Sequence, residues 1–272
     1  MNIHTWVSAS FFDDMVFLRP QNTDLLTEVR VFCVPICEQN KVNIKTEKVD
    51  SRITKWRRQV KCISMEHVFF KPWIGKNYET GGIFGKKILV LGESHYCTDA
   101  NCTQCGIKYA SECKDINTSE IIQWMLDGNI DKWTPTFKKF ERSLVNEETS
   151  PERSKEIWNS VAFFNFLQVA LKGTRRGGTK ADYAEGRKAF LEVIEELQPD
   201  LIIVWGTSRL YINLPDKEEG WIDGEPLVVD NWSVPNGYYQ LKNGKKSRVI
   251  AVYHPSAAYS WDWWYKVIAT QL

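Results

Sequence analysis

The sequence of 272 residues predicts an α/β fold, a three-layer α/β/α sandwich with a central, mostly parallel four-stranded sheet. Four apolar runs of strand length alternate with segments whose apolar residues recur at helical spacing. Runs that are apolar on both faces are typical of parallel strands covered by helices on both sides. The four predicted strands are residues 87–91, 161–164, 201–205 and 248–253.

Helices are predicted between the strands, where apolar residues recur every three to four positions. The segments with this spacing are 121–125, 137–144 and 190–197. A C-terminal helix is also expected, opened by Pro255-Ser256. The region 215–246 is rich in turn-forming residues, and Pro235-Asn236-Gly237 predicts a hairpin there.

Two helix starts carry capping residues. Ser150 is a predicted N-cap and Pro151 suits the first helical position, so a helix is predicted over 151–158. Thr179 and Asp182 can cap the helix that precedes the third strand.

The charge balance is close to neutral, with 35 lysines and arginines against 34 aspartates and glutamates. This excludes a global electrostatic attraction to DNA or to an anionic membrane, so such a contact would need a local patch. No run of 18 or more apolar residues occurs, and residues 1–6 lack the basic-then-apolar layout of a signal peptide. We therefore expect a cytoplasmic, monomeric protein with no membrane partner.

The first 64 residues differ from the rest and carry no chemistry motif. We interpret 1–64 as an N-terminal extension of unknown role and 65–272 as the α/β domain. The basic stretch 55–61 could contact phosphates or form a solvated charged face of a helix.

Reactive side chains follow three of the predicted strands. The segment Gly92-Glu93-Ser94-His95-Tyr96 comes after the first strand, Asn165 ends the second, and His254 follows the last. Because the carboxyl ends of parallel strands lie at one edge of a sheet, these side chains are expected to form one site. A neutral histidine can donate to a developing anion, a glutamate can orient a water, and an asparagine can read an amide-like edge. This set suits recognition of a nucleobase.

The order of these motifs resembles that of the uracil-DNA glycosylase superfamily, over about residues 69–272. In that family a motif such as Gly-Glu-Ala-Pro follows the first core strand, an Asn ends the next strand, and His-Pro-Ser follows the last. Here the first motif corresponds to 92–96, the Asn to Asn165, and the last motif to the intact His254-Pro255-Ser256. Ser94 stands where several branches carry a catalytic Asp or Asn, and His95 stands where Pro is usual.

The resemblance implies a DNA glycosylase that hydrolyses the N-glycosidic bond of a flipped-out uracil or other modified pyrimidine, with DNA as partner and no cofactor required for catalysis. His254 would stabilise charge on the departing base, and Glu93 or Ser94 would position the water. The loop 173–178 could hold phosphates or be a solvated connection. The residues expected at the base are Gly92, His95, Tyr96, Phe164 and Asn165, and those expected at DNA phosphates are Arg175, Arg176 and Ser256.

Seven cysteines in a chain expected to be cytoplasmic are predicted to be reduced thiols or metal ligands. Cys97, Cys102, Cys105 and Cys113 lie close enough in sequence to form a structural tetrahedral zinc site. The first three also have the spacing of plant-type ferredoxin ligands, but the fourth lies too near for that fold. A loop with free thiols and no metal stays open beside zinc and an iron–sulfur cluster.

Two other function classes stay open. One is a catalytically inactive nucleic-acid-binding module of the same fold, which the altered first motif allows. The other is a serine hydrolase that uses Ser94 and His254. Its Gly-x-Ser-x-Gly motif is incomplete, because Tyr96 replaces the second Gly.

Overall fold

A computed structural model describes residues 65–97, 117–173 and 176–272, which all fall within one compact unit, Ile63–Leu272. The α-helices in these ranges are α1 (Thr118–Leu126), α2 (Thr134–Val145), α3 (Pro151–Ser160), α4 (Lys180–Leu197) and α5 (Trp261–Ala269). The strands are β1 (Trp73–Ile74), β2 (Ile88–Gly92), β3 (His95–Tyr96), β4 (Val161–Asn165), β5 (Ala170–Leu171), β6 (Leu201–Trp205), β7 (Trp221–Asp223), β8 (Leu227–Val229), β9 (Trp232–Val234), β10 (Asn236–Gln240) and β11 (Lys246–Val252).

The main sheet has seven strands in the order β1-β4-β2-β6-β11-β10-β7. Its central strands β4, β2, β6 and β11 are parallel, and they are the four that the sequence predicts. The α/β class is therefore confirmed. The predicted strand number is wrong, because β1, β10 and β7 extend the sheet with antiparallel pairs. β1 has only two residues, and β10 alternates in burial, so neither forms the continuous apolar run typical of a parallel strand.

Helices cover both faces of the sheet, because alternate residues of each buried strand point to opposite sides. On one side, Leu89 and Leu91 of β2 pack in a core with Phe190 and Ile194 of α4. On the other side, the core contains residues of the other strand face and of α1, α2, α3 and α5. The apolar runs thus supply two cores, one on each face.

Capping residues start α3 and α4 as the sequence predicts. The Ser150 hydroxyl accepts from the Arg153 amide at 3.2 Å. At α4, the Thr179 hydroxyl accepts from the Asp182 amide, and the Asp182 carboxylate accepts from the Thr179 amide at 2.7 Å. Each pair satisfies amides that a helix N-terminus leaves without backbone partners.

A buried carboxylate joins α2 to α3. Glu141 is fully buried and accepts hydrogen bonds from Trp158 Nε1 at 2.8 Å, Ser154 Oγ at 2.6 Å and Thr149 Oγ1 at 2.6 Å. Lys138 lies 3.2 Å from the same carboxylate. Because its oxygens are satisfied, this charge can stay in the core and fix the two helices relative to each other.

Two predicted features lie elsewhere in the structure. The C-terminal helix begins at Trp261, not at Pro255-Ser256, which instead form a turn. The predicted hairpin at Pro235-Asn236-Gly237 is wrong, because Asn236 and Gly237 belong to β10. The β8–β9 hairpin turns at Asp230 and Asn231, whose φ angles of 48° and 64° suit a tight hairpin turn.

None of the helices within 65–97, 117–173 and 176–272 combines enough length with enough apolar character to cross a bilayer.

Candidate active site

The carboxyl ends of the parallel strands bring the predicted site residues to one edge of the sheet. Gly92 of β2 is the register partner of Asn165 of β4, and Trp205 of β6 is the partner of Val252 of β11. The loops after β2 and β4 run side by side, since the Leu167 amide donates to the Glu93 carbonyl at 2.8 Å. The first motif and the Asn are therefore adjacent, as the fold class predicts.

Gly92 is required by the close approach of two side chains. A Cβ at this position would lie 2.5 Å from Asn165 Oδ1 and 2.9 Å from Phe163 Cζ. The absence of a side chain lets the Asn165 amide lie directly above the end of β2. Glycine in a strand interior commonly marks such a close approach.

Asn165 and His95 form a buried polar pair. Asn165 Nδ2 lies 3.2 Å from His95 Nε2, and the same ring nitrogen lies 3.0 Å from Thr118 Oγ1 at the start of α1. Both residues are buried, and burial lowers the pKa of His95 to about 4. His95 is therefore neutral at physiological pH and serves as a hydrogen-bonding group, not as a cation.

Gln168 attaches the chain before β1 to this pair. Its Oε1 accepts from the Phe69 and Phe70 amides at 2.8 and 2.9 Å, and its Nε2 donates to the Asn165 carbonyl at 2.9 Å. Phe70 in turn packs edge-on against His95, with ring centroids 4.7 Å apart. The Asn165–His95 pair is thus held from two sides by buried groups, which limits its freedom to reorient.

Glu93 is held by two partners on the opposite side of the sheet from Asn165. Tyr183 of α4 donates its hydroxyl proton to Glu93 Oε1 at 2.5 Å. Arg209, in the turn after β6, donates from Nε to Oε1 at 2.5 Å and from Nη2 to Oε2. This two-point contact is the fork geometry in which arginine binds carboxylates most strongly.

The contact with Glu93 changes the chemistry expected of its neighbours. The hydrogen bond to Glu93 raises the pKa of Arg209, and burial, followed by that carboxylate, raises the pKa of Tyr183. An ionised carboxylate has about four acceptor positions, and these contacts occupy three of them. Glu93 can therefore accept one further hydrogen bond at Oε2, for example from a water, without leaving Arg209.

His254 is oriented by the residue two positions later. Its Nδ1 accepts from the Ser256 backbone amide at 3.2 Å and from the Ser256 hydroxyl at 2.8 Å. A ring nitrogen that accepts a backbone N–H cannot carry a proton, so the neutral ring carries its proton on Nε2. Burial lowers the pKa of His254, an effect that the negative charge of Glu93 opposes and the positive charge of Arg209 reinforces. The site thus contains a fixed, neutral N–H donor.

Ser94 and Tyr96, the two other predicted residues of the first motif, do not pair with His254. The Ser94 hydroxyl is buried and has no hydrogen-bond partner among the described residues. A nucleophilic serine needs a base within hydrogen-bonding reach, so this arrangement does not favour the serine-hydrolase alternative. Tyr96 is about one-third exposed and lies in β3, beside Leu171 of β5.

The predicted role of Phe164 at the base disagrees with its position. Phe164 is fully buried in the core on the α4 side, whereas Asn165 and Gly92 face the other side of the sheet. Side chains alternate along a strand, so the residue before a site residue points away from it. Phe164 is therefore a packing residue.

The structure describes two of the three residues that are predicted to contact DNA phosphates. Ser256 and Arg176 are exposed, while Arg175 lies outside the described residues. The loop passes close to Arg209, because a Cβ on Gly177 would lie 2.9 Å from Arg209 Cδ. Arg176 precedes Gly177 in the chain, so its backbone lies near the Glu93–Arg209 pair.

The cysteine prediction falls mostly outside the described residues. Cys97 is half-buried and its thiol is not in a disulfide. Cys102, Cys105 and Cys113 lie in the segment 98–116, and residues 1–64 are also outside the described ranges. Zinc binding by these four residues stays a prediction.

Sequence reasoning missed three residues of the site: Arg209, Tyr183 and Trp205. Arg209 lies in a turn with no motif, and only its place four residues after a predicted strand could have suggested a role. Tyr183 lies on the buried face of α4, where an aromatic residue is expected for packing alone. Trp205 ends β6 and lies beside His254, with ring centroids 5.9 Å apart.

No protein-family model matches the chain, and no curated protein matches it at a significant level.

Proposed function

We propose that this protein is a DNA glycosylase, which hydrolyses the N-glycosidic bond of a flipped-out uracil or other modified pyrimidine in DNA. The observation that carries the proposal is the state of His254. Two donors from Ser256 hold its Nδ1 as an acceptor, so that a neutral Nε2–H is available at the carboxyl edge of the sheet. The fold and the motif order support the same proposal.

In this reaction the bond between sugar and base breaks with positive charge growing on the sugar and negative charge on the base. His254 Nε2–H would donate a hydrogen bond to the oxygen of the base on which that charge grows. A fixed donor aimed at developing charge contributes about 10²- to 10³-fold to the rate. A protonated histidine would attract the anion as well, but the burial of His254 disfavours that form.

Asn165 would read the edge of the flipped base. Its Oδ1 lies over Gly92 and its Nδ2 lies beside His95, so the amide presents an acceptor and a donor in a fixed order. The His95 ring stays neutral and buried, which lets it hold the amide without adding charge to the base pocket. A fixed amide of this kind suits the adjacent donor and acceptor of a pyrimidine edge.

Glu93 would orient the attacking water and not act as a strong base. Its contacts with Arg209 and Tyr183 leave one acceptor position at Oε2. Water attack on an oxocarbenium-like centre needs placement of the oxygen more than early removal of its proton. Ser256 and Arg176, both exposed beside the site, would contact phosphates of the strand.

A second candidate is a nucleic-acid-binding module of the same fold without catalysis. The specific observation in its favour is the engagement of both Glu93 carboxylate oxygens by Arg209. If Arg209 still binds both oxygens of Glu93 when DNA binds, Glu93 could orient a water only through its one remaining acceptor position on Oε2. Binding without base release would then be the activity.

A base-release assay tests the proposal. End-labelled single- and double-stranded oligonucleotides with one uracil or one modified pyrimidine are incubated with the full chain and treated with hot alkali, which breaks abasic sites. We expect cleavage at the modified position and a decrease of about 10²- to 10³-fold for His254→Gln. His67→Gln is the matched control, because His67 contacts Glu185 of α4 and not the site residues.

The outcomes separate the two candidates. Cleavage that persists unchanged in His254→Gln would contradict the assigned role of His254. No cleavage of any substrate, together with oligonucleotide binding that His254→Gln leaves intact, would replace the glycosylase proposal with the binding module.

A further inference from the structure

A cavity at the edge of the main sheet lies outside the candidate active site. It has a volume of about 260 Å³, and its walls include Tyr211, Leu214, Pro215 and Trp221. We call it the edge pocket, because Trp221 belongs to β7, the last strand in the order of the main sheet. Sites for drug-sized ligands commonly measure about 300–1,000 Å³, so the edge pocket fits a single side chain better than a cofactor.

The walls of the edge pocket are aromatic and aliphatic. The Tyr211 and Trp221 rings meet edge to face with centroids 5.8 Å apart, and Trp221 packs in the same way against Tyr239 at 5.3 Å. The Trp221 indole N–H already donates to Asp223 Oδ1 at 3.0 Å, so this ring has no donor left for a ligand. An aromatic wall without a free N–H favours a cation over an anion, because cations are attracted to ring faces.

Three exposed residues that line the cavity form its mouth: Asp216, Lys217 and Asp223. Lys217 Nζ lies 2.5 Å from Asp223 Oδ2, so the lysine is already paired with that carboxylate. Hydrogen bonds from Lys217 and Trp221 lower the pKa of Asp223, which is therefore ionised at neutral pH. The lysine offsets one of the two negative charges, and the mouth keeps the other.

The charges around the mouth leave this acidic balance in place. Glu218 and Glu219 follow Lys217 in the chain, and Arg187 of α4 lies 3.6 Å from Glu219. The Arg248 guanidinium lies over the Tyr238 ring, on the face of the sheet opposite the edge pocket. The edge pocket therefore favours a ligand that brings positive charge.

The edge pocket also adjoins an open edge of the sheet. Among the described residues, β7 pairs with β10 and has no strand on its other side. The Gln240 amide donates to the Gly220 carbonyl, and hydrogen-bonded pairs alternate from there, so the main-chain groups of Trp221 and Asp223 point away from β10. The Trp221 amide is taken by the Asp216 carbonyl at 3.0 Å. Asp223 thus presents its main chain to the open edge and its side chain to the pocket.

We propose that the edge pocket binds an arginine side chain of a partner polypeptide, whose main chain pairs with Asp223 at the open edge of β7. A planar guanidinium stacks on aromatic rings and binds a carboxylate through two N–H groups, which an ammonium does not do. The main-chain groups of Asp223 favour a polypeptide over a free cation, since added strands bind through such groups and gain specificity from side-chain pockets. The contact is short, so it forms a weak, transient complex.

The test titrates the full chain with a pool of nine-residue peptides that have arginine at the centre and random residues elsewhere. A matched pool carries citrulline, which has the shape of arginine without its charge. Nitrogen–proton correlation NMR reports the indole signal of Trp221, which is the one of 12 tryptophan signals that disappears in Trp221→Phe. We expect the arginine pool to move this signal at concentrations about tenfold lower than the citrulline pool.

Two substitutions should change the affinity in opposite directions. Asp223→Asn removes a negative charge and should weaken binding of the arginine pool about five- to tenfold. Lys217→Ala removes the cation that competes for Asp223 and should strengthen binding about two- to fivefold, a gain that a misfolded variant cannot give. Asp230→Asn is the matched control, because Asp230 pairs with Lys266 at 2.9 Å and does not line the pocket.

Four results would overturn the inference. Equal affinity for the two pools would show that charge is not recognised, and a Trp221 signal that neither pool moves would remove the edge pocket as a binding site. Equal binding by Asp223→Asn and Asp230→Asn would remove the carboxylate from recognition. Binding of N-acetylarginine amide as tight as that of the arginine pool would replace the polypeptide with a free cation.

The inference and the proposed function can fail separately. The residues of the edge pocket lie outside the candidate active site, so base release by Asp223→Asn and Lys217→Ala should equal that of the wild type. Peptide binding without base release would keep the edge pocket and contradict the glycosylase. Base release without peptide binding would do the reverse.

Discussion

Arg209 binds both carboxylate oxygens of Glu93, and it does so from the turn that follows a different strand. The Nε–Oε1 distance is 2.5 Å, and Nη2 contacts Oε2. The Glu93 side chain is 9% exposed and that of Arg209 is 42% exposed, so the charge pair lies at the boundary between core and solvent. The contact connects the ends of β2 and β6, the two strands that lie between β4, which ends in Asn165, and β11, which precedes His254.

We expect Arg209→Ala to lower the free energy of unfolding by about 1–3 kcal/mol. The substitution leaves a mostly buried carboxylate with Tyr183 as its remaining partner, and a buried charge that loses its partner is destabilising. The loss should be smaller than for a fully buried ion pair, because Arg209 is partly exposed and solvent screens its charge. Urea unfolding measures the change.

Arg153→Ala is the control for that measurement. Arg153 forms ion pairs with Glu147 and Glu156 on the exposed surface of α3, and such pairs contribute about 0–1 kcal/mol. Arg209→Ala should lower the free energy of unfolding less when Glu93→Gln is already present than it does in the wild type. If Arg209→Ala and Glu93→Gln lower the free energy of unfolding additively, the Glu93–Arg209 contact does not stabilise the fold.

Ser256→Ala should move the acidic limb of the pH–activity profile to higher pH. Burial lowers the pKa of His254, and the Ser256 hydroxyl, which donates to Nδ1, favours the same neutral form. In the wild type, activity that needs neutral His254 should persist as pH falls below about 6.5 and be lost only at lower pH. Without the hydroxyl, the acidic limb of the kcat/KM profile should move to higher pH.

Ser260→Ala is the matched control for that profile. Ser260 lies in the same loop and donates its hydroxyl proton to Asp262, not to the histidine. Its acidic limb should coincide with that of the wild type. An unchanged limb in Ser256→Ala would show that the hydroxyl does not orient or tune His254.

His95 should make the fold sensitive to acid. Its pKa is about 4 in the folded chain and about 6.5 in the unfolded chain, so the unfolded chain binds the proton more tightly. Stability is then fully present above pH 6.5 and falls as pH drops toward 4. The loss amounts to about 3 kcal/mol, since each tenfold change in proton affinity corresponds to about 1.4 kcal/mol.

Urea unfolding of His95→Gln at several pH values checks this assignment. Glutamine keeps polar atoms near Asn165 and Thr118 but has no group that titrates in this range. The variant is expected to be less stable at pH 7.5, and its stability should fall less between pH 6.5 and 4 than that of the wild type. A decline equal to that of the wild type would assign the acid sensitivity to other groups.

Gly92→Ala should disturb both stability and the site. A Cβ there would lie 2.5 Å from Asn165 Oδ1, so the Asn165 amide would have to move. Overpacking of this kind destabilises by about 1–3 kcal/mol. Gly173→Ala is the matched control for stability, because a Cβ at Gly173 meets no atom of the described residues within 4 Å. A Gly92→Ala variant with the stability and the base release of the wild type would contradict the close approach at Gly92.

The central strands could be predicted because their signal is local. Both faces of β2, β4, β6 and residues 249–252 of β11 are buried, so the apolar runs mark these strands without any knowledge of their partners. The starts of α3 and α4 could also be predicted from the sequence, since Ser150 and Thr179 accept hydrogen bonds from amides only three residues away.

The antiparallel additions and the hairpin position depend on contacts distant in sequence. β7 is half-exposed and, in the described part of the chain, pairs only with β10, so its three residues carry no pattern of their own. Asn236-Gly237 has the composition of a hairpin turn, but pairing with Ile250 and Val249 keeps it extended. Tertiary context outweighed the local preference at this point.

The site was predictable where motifs follow predicted strands, and not where partners come from elsewhere. Asn165 and His254 lie at strand ends and could be located from sequence. The partner of Glu93 could not, because Arg209 is 116 residues away in a turn without a motif. The position of Phe164 could not be predicted either. Side chains alternate along β4, but only the structure shows that Phe164 points toward α4, away from the site.

The most direct test of the central claim is detection of the free base itself. The full chain is incubated with oligonucleotides that contain uracil or a modified pyrimidine, and the small-molecule fraction is analysed by mass spectrometry. The account predicts the free base in amounts that match the abasic strand, with about 10²- to 10³-fold slower release by His254→Gln. Intact oligonucleotides and no free base from any of these substrates would contradict it.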